Sequence, residues 1–216
     1  LVPTSRGNLP VSPDPFHLPA GAGELLQSWL EAVLETAGLT SIRDLSEARR
    51  ILLEDSLRGA DVVRGLAGPI VDVGSGGGAP GIPLAAALPE RKVTLLEAER
   101  RKADFLERWR ARLPNLEVVW GRAEEQETDR YGVAVSKALA APPVAAEWLL
   151  PLVCSGGAAV LWLGPTADLE SVARVAGQVG GGEPEERDGL VVIPKLVATP
   201  DGFPRRPGMA RKRPLA

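Results

Sequence analysis

A run of small residues between two apolar segments carries the clearest chemical signal in this sequence. Asp72 ends an apolar segment that begins at Ile70, and five glycines separate it from the next apolar segment, Ile82–Leu88. Because glycine lacks a Cβ atom, the backbone can turn sharply there and a ligand can approach the main chain. A helix over Ile82–Leu88 would present unpaired N–H groups and the positive end of its dipole to that ligand. The pattern therefore predicts a buried strand, a ligand-binding turn and a helix.

Two cofactors suit this loop, and the loop alone leaves the choice open. Gly76, Gly78 and Gly81 match the G-x-G-x-x-G fingerprint of dinucleotide sites. From Asp72 the same residues match D-x-G-x-G-x-G, the first motif of S-adenosylmethionine (AdoMet) methyltransferases, in which the acid lies near the cationic methionine part. A glycine-rich turn without a ligand is disfavoured by the strong apolar segments on both sides. The candidate cofactor-binding residues of the loop are Asp72, Gly74, Ser75, Gly76, Gly78 and Pro80.

Further candidate cofactor residues follow the second and third predicted strands. Glu97 ends the second strand, where an acid in either nucleotide fold accepts hydrogen bonds from ribose hydroxyls, and Ala98 follows it. A solvated carboxylate at a strand end is the alternative. Arg122, Ala123 and Glu124 follow the third strand, where an adenine ring would lie in a methyltransferase. Glu124 is equally interpreted as a first-turn carboxylate that stabilises its helix.

The substrate is expected at the end of the fourth predicted strand. Lys137 lies there, and ligands of parallel sheets bind at the carboxyl ends of the strands, so Lys137 is the candidate catalytic residue and also a candidate cofactor contact. The Asn/Asp-Pro-Pro-aromatic motif that amino-group methylation usually employs is absent from this sequence. Cys154 is predicted to precede the fifth strand as a structural residue, which disfavours methylation of C5 of a pyrimidine by a cysteine nucleophile.

The elements that must position these residues alternate between strand and helix. Strands are predicted at Pro69–Val73, Lys92–Glu97, Leu116–Trp120, Val133–Ser136, Gly157–Leu163, Pro184–Arg187 and Leu190–Val197. Helices are predicted at Glu24–Ala37, Ala48–Leu57, Ile82–Leu88, Arg100–Leu113, Arg122–Glu127, Pro143–Leu150 and Ala167–Val179. Such alternation predicts an α/β fold with a mostly parallel seven-stranded sheet. The last two strands flank Asp188-Gly189, a hairpin signal, and an antiparallel ending is typical of AdoMet methyltransferases rather than of dinucleotide domains.

Composition limits the class of protein and of chemistry. The chain has 216 residues, 44% of them hydrophobic, a formal net charge of −3, one cysteine and one histidine. Metal or histidine-based catalysis would lack its usual ligands and bases, so no metal is expected. No apolar run approaches the roughly 20 residues that span a bilayer, so no membrane partner is expected. We expect a cytoplasmic monomer. Its predicted parts are a disordered leader over 1–20, N-terminal helices over 21–66, a methyltransferase core over 67–200 and a basic tail over 201–216.

The tail is a candidate nucleic-acid contact. No acid follows Asp201, and the prolines at 204, 207 and 214 predict an extended segment. The candidate RNA-binding residues are Arg205, Arg206, Arg211, Lys212 and Arg213. Arginine side chains suit phosphate groups. A solvated basic tail is the alternative.

Taken together, these residues resemble the small-subunit (16S) rRNA methyltransferase G family, also called glucose-inhibited division protein B. The matching segments are Leu39-Thr40-Ser41-Ile42, Asp55-Ser56-Leu57, the D-V-G-S-G-G-G-A-P-G-I-P-L run from Asp72, Thr94–Glu97, Gly121–Glu124, Ser136–Ala138, Phe203–Gly208, Lys212 and Pro214-Leu215. The resemblance implies a Rossmann-like class I AdoMet-dependent methyltransferase with an N-terminal helical cap. It also implies methyl transfer to N7 of a guanosine in 16S rRNA, presented as RNA or as the small ribosomal subunit. Guanine N7 carries no proton, which agrees with the lack of acid–base residues.

Four positions depart from the family pattern. Gly38 replaces an asparagine, and Leu52 replaces a histidine. Lys137 replaces an arginine and Leu163 replaces a lysine. Lysine keeps the charge of arginine but lacks its bidentate fork. A second hypothesis is therefore an AdoMet-binding family member with lost or altered RNA activity, acting as a binding or assembly factor. A third, an NAD-dependent oxidoreductase, is disfavoured by Asp72 and the terminal hairpin.

Overall fold

The computed structural model describes residues 16–164 and 166–216, and its core is one seven-stranded sheet. The strands are β1 (Ile70–Val73), β2 (Val93–Glu97), β3 (Leu116–Trp120), β4 (Tyr131–Lys137), β5 (Val153–Trp162), β6 (Glu185–Arg187) and β7 (Leu190–Pro194). Their order is β3-β2-β1-β4-β5-β7-β6, with β1 to β5 parallel and β7 antiparallel to both neighbours. This arrangement confirms the predicted class I methyltransferase topology with its antiparallel ending.

Helices cover both faces of the sheet. They are α1 (Ala22–Glu35), α2 (Leu45–Ala48), α3 (Asp55–Leu57), α4 (Ala60–Arg64), α5 (Gly81–Ala87), α6 (Arg100–Glu107), α7 (Pro142–Leu149), α8 (Leu169–Gln178) and α9 (Met209–Lys212). A π-helical turn, Arg49–Glu54, joins α2 to α3. Within the described residues, no helix combines the length and apolar composition that crossing a membrane requires. The part of the predicted leader that covers residues 1–15 lies outside the described residues.

The N-terminal helices share a hydrophobic core with one face of the sheet. Leu26, Trp29 and Leu30 of α1 are fully buried in the same cluster as Ile70 of β1 and Ile82 of α5. Burying an aliphatic or aromatic side chain contributes about 1.5–3 kcal/mol. The helices therefore stabilise the loop between β1 and α5 directly. The second cluster packs α7 and α8 against the opposite face.

Several predicted elements have different bounds in the structure. The helix predicted over Arg122–Glu127 is a short 3-10 turn over Ala123–Glu125, and the helix predicted over Ala48–Leu57 is π-helical over Arg49–Glu54. β5 begins at Val153, so Cys154 lies within the strand, because Gly156 and Gly157 exchange backbone hydrogen bonds with Lys195 and continue the sheet. The helix after β2 ends at Glu107 and continues only as turns. The tail is not extended throughout, since Met209–Lys212 forms α9.

Candidate active site

A cavity of about 780 Å³ opens at the carboxyl ends of β1, β2, β3 and β4. A volume of this size accommodates a nucleotide-sized ligand. The predicted cofactor residues that line it are Gly74, Ser75, Gly76, Glu97, Ala98, Arg122, Ala123, Glu124 and Lys137. Asp72, Gly78 and Pro80 do not line it, so the structure brings together most of the predicted cofactor residues and leaves three outside the cavity.

The loop between β1 and α5 is closed by its own backbone. The N–H groups of Gly74 and Ser75 donate to the Leu96 carbonyl at 2.8 and 3.3 Å. Gly74 has φ +71°, and a Cβ atom there would collide with the Leu139 side chain. Only glycine fits this position, which lets the cavity wall approach the loop closely. The glycine-rich loop and the cavity beside it fit AdoMet, the ligand that the sequence motif predicts.

Asp72 stabilises the loop between β1 and α5 from outside the cavity. Its side chain is 1% exposed, and Oδ2 accepts a hydrogen bond from the Gly81 N–H at 3.0 Å. Among the described residues Oδ1 has no partner. Burial raises the pKa of the Asp72 carboxyl to about 7. The prediction that Asp72 faces the methionine part of a cofactor is therefore corrected, because the carboxyl points to the start of α5 instead.

Glu97 is fixed at the wall of the cavity by two backbone donors. Its Oε2 accepts from the Gly76 N–H at 2.8 Å, and its Oε1 accepts from the Glu99 N–H at 2.7 Å. The residue is only 7% exposed, which excludes the alternative of a solvated strand end. Each carboxylate oxygen keeps a further lone pair. Glu97 can therefore accept two ribose hydroxyls without moving.

The N-terminal helices form a wall of the cavity that the sequence interpretation assigned to packing. Trp29 of α1 donates its indole N–H to the Gly77 carbonyl at 2.8 Å, and Val33, Ile51 and Leu52 line the same wall. The only sequence signal was the apolar stripe of α1, which does not distinguish a core from a cavity wall. Of the four positions that depart from the family pattern, Leu52 and Lys137 line the cavity, whereas Gly38 and Leu163 do not.

Lys137 lies at the end of β4, where the cavity meets the N-terminal segment. Its side chain is 12% exposed, and Nζ lies 2.5 Å from Oδ2 of Asp55. The same Nζ donates to the Ile51 carbonyl. Burial lowers the pKa of Lys137, and the ion pair with Asp55 opposes that shift. Two of its three donors are thus used inside the protein, and one remains for a ligand.

The basic tail folds over the opposite wall. The Gly208 N–H donates to Oε1 of Glu124 at 2.9 Å, so Glu124 holds the tail rather than only its own turn. The Arg211 guanidinium stacks on the Trp148 ring, 5.1 Å from its centroid, and donates to the Leu139 carbonyl at 3.2 Å. Gly208 and Arg211 both line the cavity. This wall could not be predicted from the sequence, because its contacts join residues far apart in the chain.

The structure corrects the role predicted for one tail residue. Arg205 donates Nε and Nη2 to the two carboxylate oxygens of Glu147, each at 2.6 Å, and Nη1 to the Arg213 carbonyl at 2.9 Å. All three of its nitrogen atoms are engaged inside the protein, so it is not a free phosphate contact. The four other predicted RNA-binding residues are exposed, namely Arg206, Arg211, Lys212 and Arg213.

The carboxylates of the cavity wall are all held by protein donors. Glu97 and Glu124 accept from backbone N–H groups, and Glu99 lies 2.9 Å from the Lys102 ammonium. No histidine lies among the residues that line the cavity within the described part of the chain. Within the described part of the chain, each carboxylate that lines the cavity is thus held in place by the protein, which suits a site that positions a ligand and a substrate.

Comparison with known proteins agrees with this geometry. Residues 23–176 match the family model described as rRNA small subunit methyltransferase G. A Pelotomaculum thermopropionicum protein named ribosomal RNA small subunit methyltransferase G is 40% identical over 165 residues, which cover 68% of this chain and 69% of the relative. The protein of that name from Roseiflexus castenholzii is 38% identical over 195 residues, 82% of this chain and 83% of the relative. A TehB-like SAM-dependent methyltransferase from Corynebacterium glutamicum has the same fold, with a TM-score of 0.51 and 18% identity over 82% of this chain and 99% of that one.

Proposed function

Because this chain belongs to the rRNA small subunit methyltransferase G family, we propose that it transfers a methyl group to N7 of a guanosine in 16S rRNA. The chain is an AdoMet-dependent methyltransferase with the class I Rossmann-like fold. The dinucleotide alternative is thereby excluded.

The observation that carries the proposal is the state of the ionisable groups in the cavity. Each carboxylate of the wall accepts a hydrogen bond or an ion pair from the protein, and Lys137 is paired with Asp55. Methylation of an amino group or a hydroxyl group requires that a proton leave the nucleophile. Guanine N7 has a lone pair and no proton, so it needs only to be held in line. This site suits that nucleophile.

The cofactor is assigned to the residues that surround the cavity. We propose that Gly74, Ser75 and Gly76 bind its methionine part, since they form the closed loop at the end of β1. Glu97 accepts the ribose hydroxyls with its free lone pairs. The adenine ring contacts Ala98 and the segment Arg122–Glu124, which lines the cavity after β3. Asp72, Gly78 and Pro80 shape the loop from outside the cavity.

The reaction is a single displacement. Bound AdoMet supplies a methyl group on a sulfonium, and as the N7 lone pair bonds to the methyl carbon, the electron pair of the carbon–sulfur bond stays on sulfur. Lys137 donates its remaining N–H to guanine O6, which lies beside N7. Asp55 balances the lysine charge, so the positive charge that develops on the base is not opposed by an unpaired ammonium.

The proposal is tested by the product. Small subunits and naked 16S rRNA are incubated with tritiated AdoMet and the protein, and the RNA is digested to nucleosides. Label in 7-methylguanosine is expected, and Lys137→Met should reduce it. Label in any other nucleoside would contradict the assignment of N7. AdoMet binding without transfer to either substrate would support the second hypothesis, a binding or assembly factor, which the departures at Leu52 and Lys137 in the cavity wall favour.

A further inference from the structure

A second, smaller groove lies beside the cavity, along the π-helical turn. Its volume is about 530 Å³, and its lining residues are Phe16, Arg50, Ile51, Glu54, Asp55 and Arg58. Ile51 lines both the groove and the cavity. Asp55 of the groove is ion-paired with Lys137 of the cavity. The groove therefore adjoins the cavity through the pair of Asp55 and Lys137, and the proposed function places Lys137 beside the reacting base.

Two of the charged groups in the groove are satisfied within the protein. Asp55 accepts from Lys137 and, at 2.9 Å, from Arg58. Arg58 also donates to the carbonyl groups of Asp188 and Gly189 at 3.1 and 3.2 Å. These contacts engage the charged groups at one end of the groove, so few hydrogen-bonding atoms remain there for a ligand.

The other two charged groups have no hydrogen-bond or ion-pair partner among residues 16–164 and 166–216. Glu54 is half-buried, and Arg50 is exposed at the groove. A half-buried carboxylate loses part of its hydration, and that cost is offset only when donors reach it. The turn that carries both residues is π-helical, with the Asp55 N–H bonded to the Arg50 carbonyl, and such turns are frequent at functional sites. The groove thus offers an acceptor for a ligand donor and a cation for a ligand anion.

We infer that this groove binds the guanine nucleotide that is methylated, with Glu54 as the residue that selects guanine. This inference rests on the proposed function. Guanine presents N1–H and N2–H₂ side by side on its Watson–Crick edge, and the two oxygens of one carboxylate accept both. Its O6 and N7 acceptors follow in order around the ring. Glu54 precedes Asp55 in the groove, and Asp55 pairs with Lys137 of the cavity. We infer that N1 and N2 face Glu54, O6 faces Lys137 and N7 faces the cofactor cavity.

Arg50 completes the recognition of the nucleotide. Its guanidinium is exposed next to the base position and provides a fork that suits a phosphate group. Contacts to phosphate position the RNA and carry no sequence information, whereas contacts to the base edge select guanine. Glu54 therefore sets specificity and Arg50 sets affinity.

Binding measurements with single nucleotides test the selection without any turnover. The intact protein is titrated with guanosine 5′-monophosphate and inosine 5′-monophosphate, which differ only in the N2 amino group, and binding is followed by calorimetry or NMR. The guanine nucleotide should bind about tenfold more tightly, since a hydrogen bond to a charged acceptor is lost with inosine. Glu54→Gln should remove the preference, and the exposed Glu47→Gln on the same segment should keep it. Equal binding of the two nucleotides, or a preference that survives Glu54→Gln, would overturn the inference.

A second variant separates the phosphate contact from the base contact. Arg50→Ala should weaken the binding of guanosine 5′-monophosphate several-fold and leave the binding of guanosine unchanged. An equal loss for both, or no loss for either, would contradict the role of Arg50. Because these assays measure binding alone, they can succeed even when the methylated atom proves to be another one. Conversely, label in 7-methylguanosine together with equal binding of the two nucleotides would support the proposed function and show that the groove does not select guanine.

Discussion

The guanidinium of Arg205 forms a bidentate ion pair with the carboxylate of Glu147, with both nitrogen–oxygen distances at 2.6 Å. The Glu147 side chain is 3% exposed and that of Arg205 is 19% exposed, so the pair is largely removed from water. The pair joins the tail to α7 and keeps Gly208 and Arg211 at the cavity wall. Arg205 therefore has a structural role, and the tail that it holds in place forms part of the cavity wall.

Removing the arginine of this pair should destabilise the protein. Arg205→Ala leaves Glu147 buried without its cation, which costs about 3–5 kcal/mol of unfolding free energy. Its exposed neighbour is the matched control, since Arg206→Ala should change stability by less than about 0.5 kcal/mol. Urea unfolding monitored by tryptophan fluorescence measures both. Equal midpoints for the two variants would show that the ion pair does not hold the tail.

The exposed cations of the tail should contribute to the salt dependence of RNA binding. A triple alanine variant at Arg206, Lys212 and Arg213 should lower the slope of log affinity against log salt by about 0.7–0.9 for each phosphate contact that is lost. Arg211 is left intact because it lines the cavity. AdoMet affinity should not change.

The control for this experiment removes the same charge elsewhere. Arg108, Arg110 and Arg112 lie at the exposed end of the α6 region, outside the cavity. Their triple alanine variant should keep the wild-type slope. If the two triple variants give the same slope, the tail acts only through net charge, and its predicted RNA contact is wrong.

Glu97 should govern AdoMet affinity. Glu97→Ala removes a ribose acceptor and releases the Gly76 N–H, so binding should weaken by about 1–3 kcal/mol. Isothermal titration calorimetry with AdoMet measures the change. Glu117→Ala, an exposed acid on β3, is the control and should bind like wild type. An unchanged affinity for Glu97→Ala would mean that the ribose lies elsewhere in the cavity.

The buried carboxyl of Asp72 should make stability depend on pH. Its pKa is about 7 in the folded protein against an ordinary value of 3.8, so between these values the unfolded chain loses a proton that the folded protein keeps. The free energy of unfolding should therefore fall as the pH rises from about 4 to about 7, by an amount on the order of 4 kcal/mol, and level off above. Asp72→Asn should flatten that part of the curve. A wild-type curve that rises through this window and is unchanged by the substitution would contradict the assignment.

Local patterns predicted the fold and part of the site. The buried runs at β1, β2 and β4 and the glycines after Asp72 specify strand, loop and helix through their own residues, and Glu97 is placed by the end of its strand. The ion pair between Arg205 and Glu147 and the bond from Gly208 to Glu124 could not be predicted, because each joins partners more than 50 residues apart. Asp72 was assigned to the cavity from its position in the motif, whereas its orientation depends on the packing of α5.

The transfer of a methyl group to guanine N7 is tested most directly by chemistry that distinguishes this methylated guanosine from guanosine methylated on N1, N2 or the ribose. Methylation of N7 makes the base cationic, so borohydride reduction followed by aniline cleaves the RNA chain at 7-methylguanosine. The 16S rRNA is treated with the protein with and without AdoMet, reduced, cleaved and sequenced at the break. We expect one AdoMet-dependent break at a guanosine, reduced by Glu54→Gln and retained by Glu47→Gln. Incorporation of labelled methyl groups without any break in the chain would contradict it.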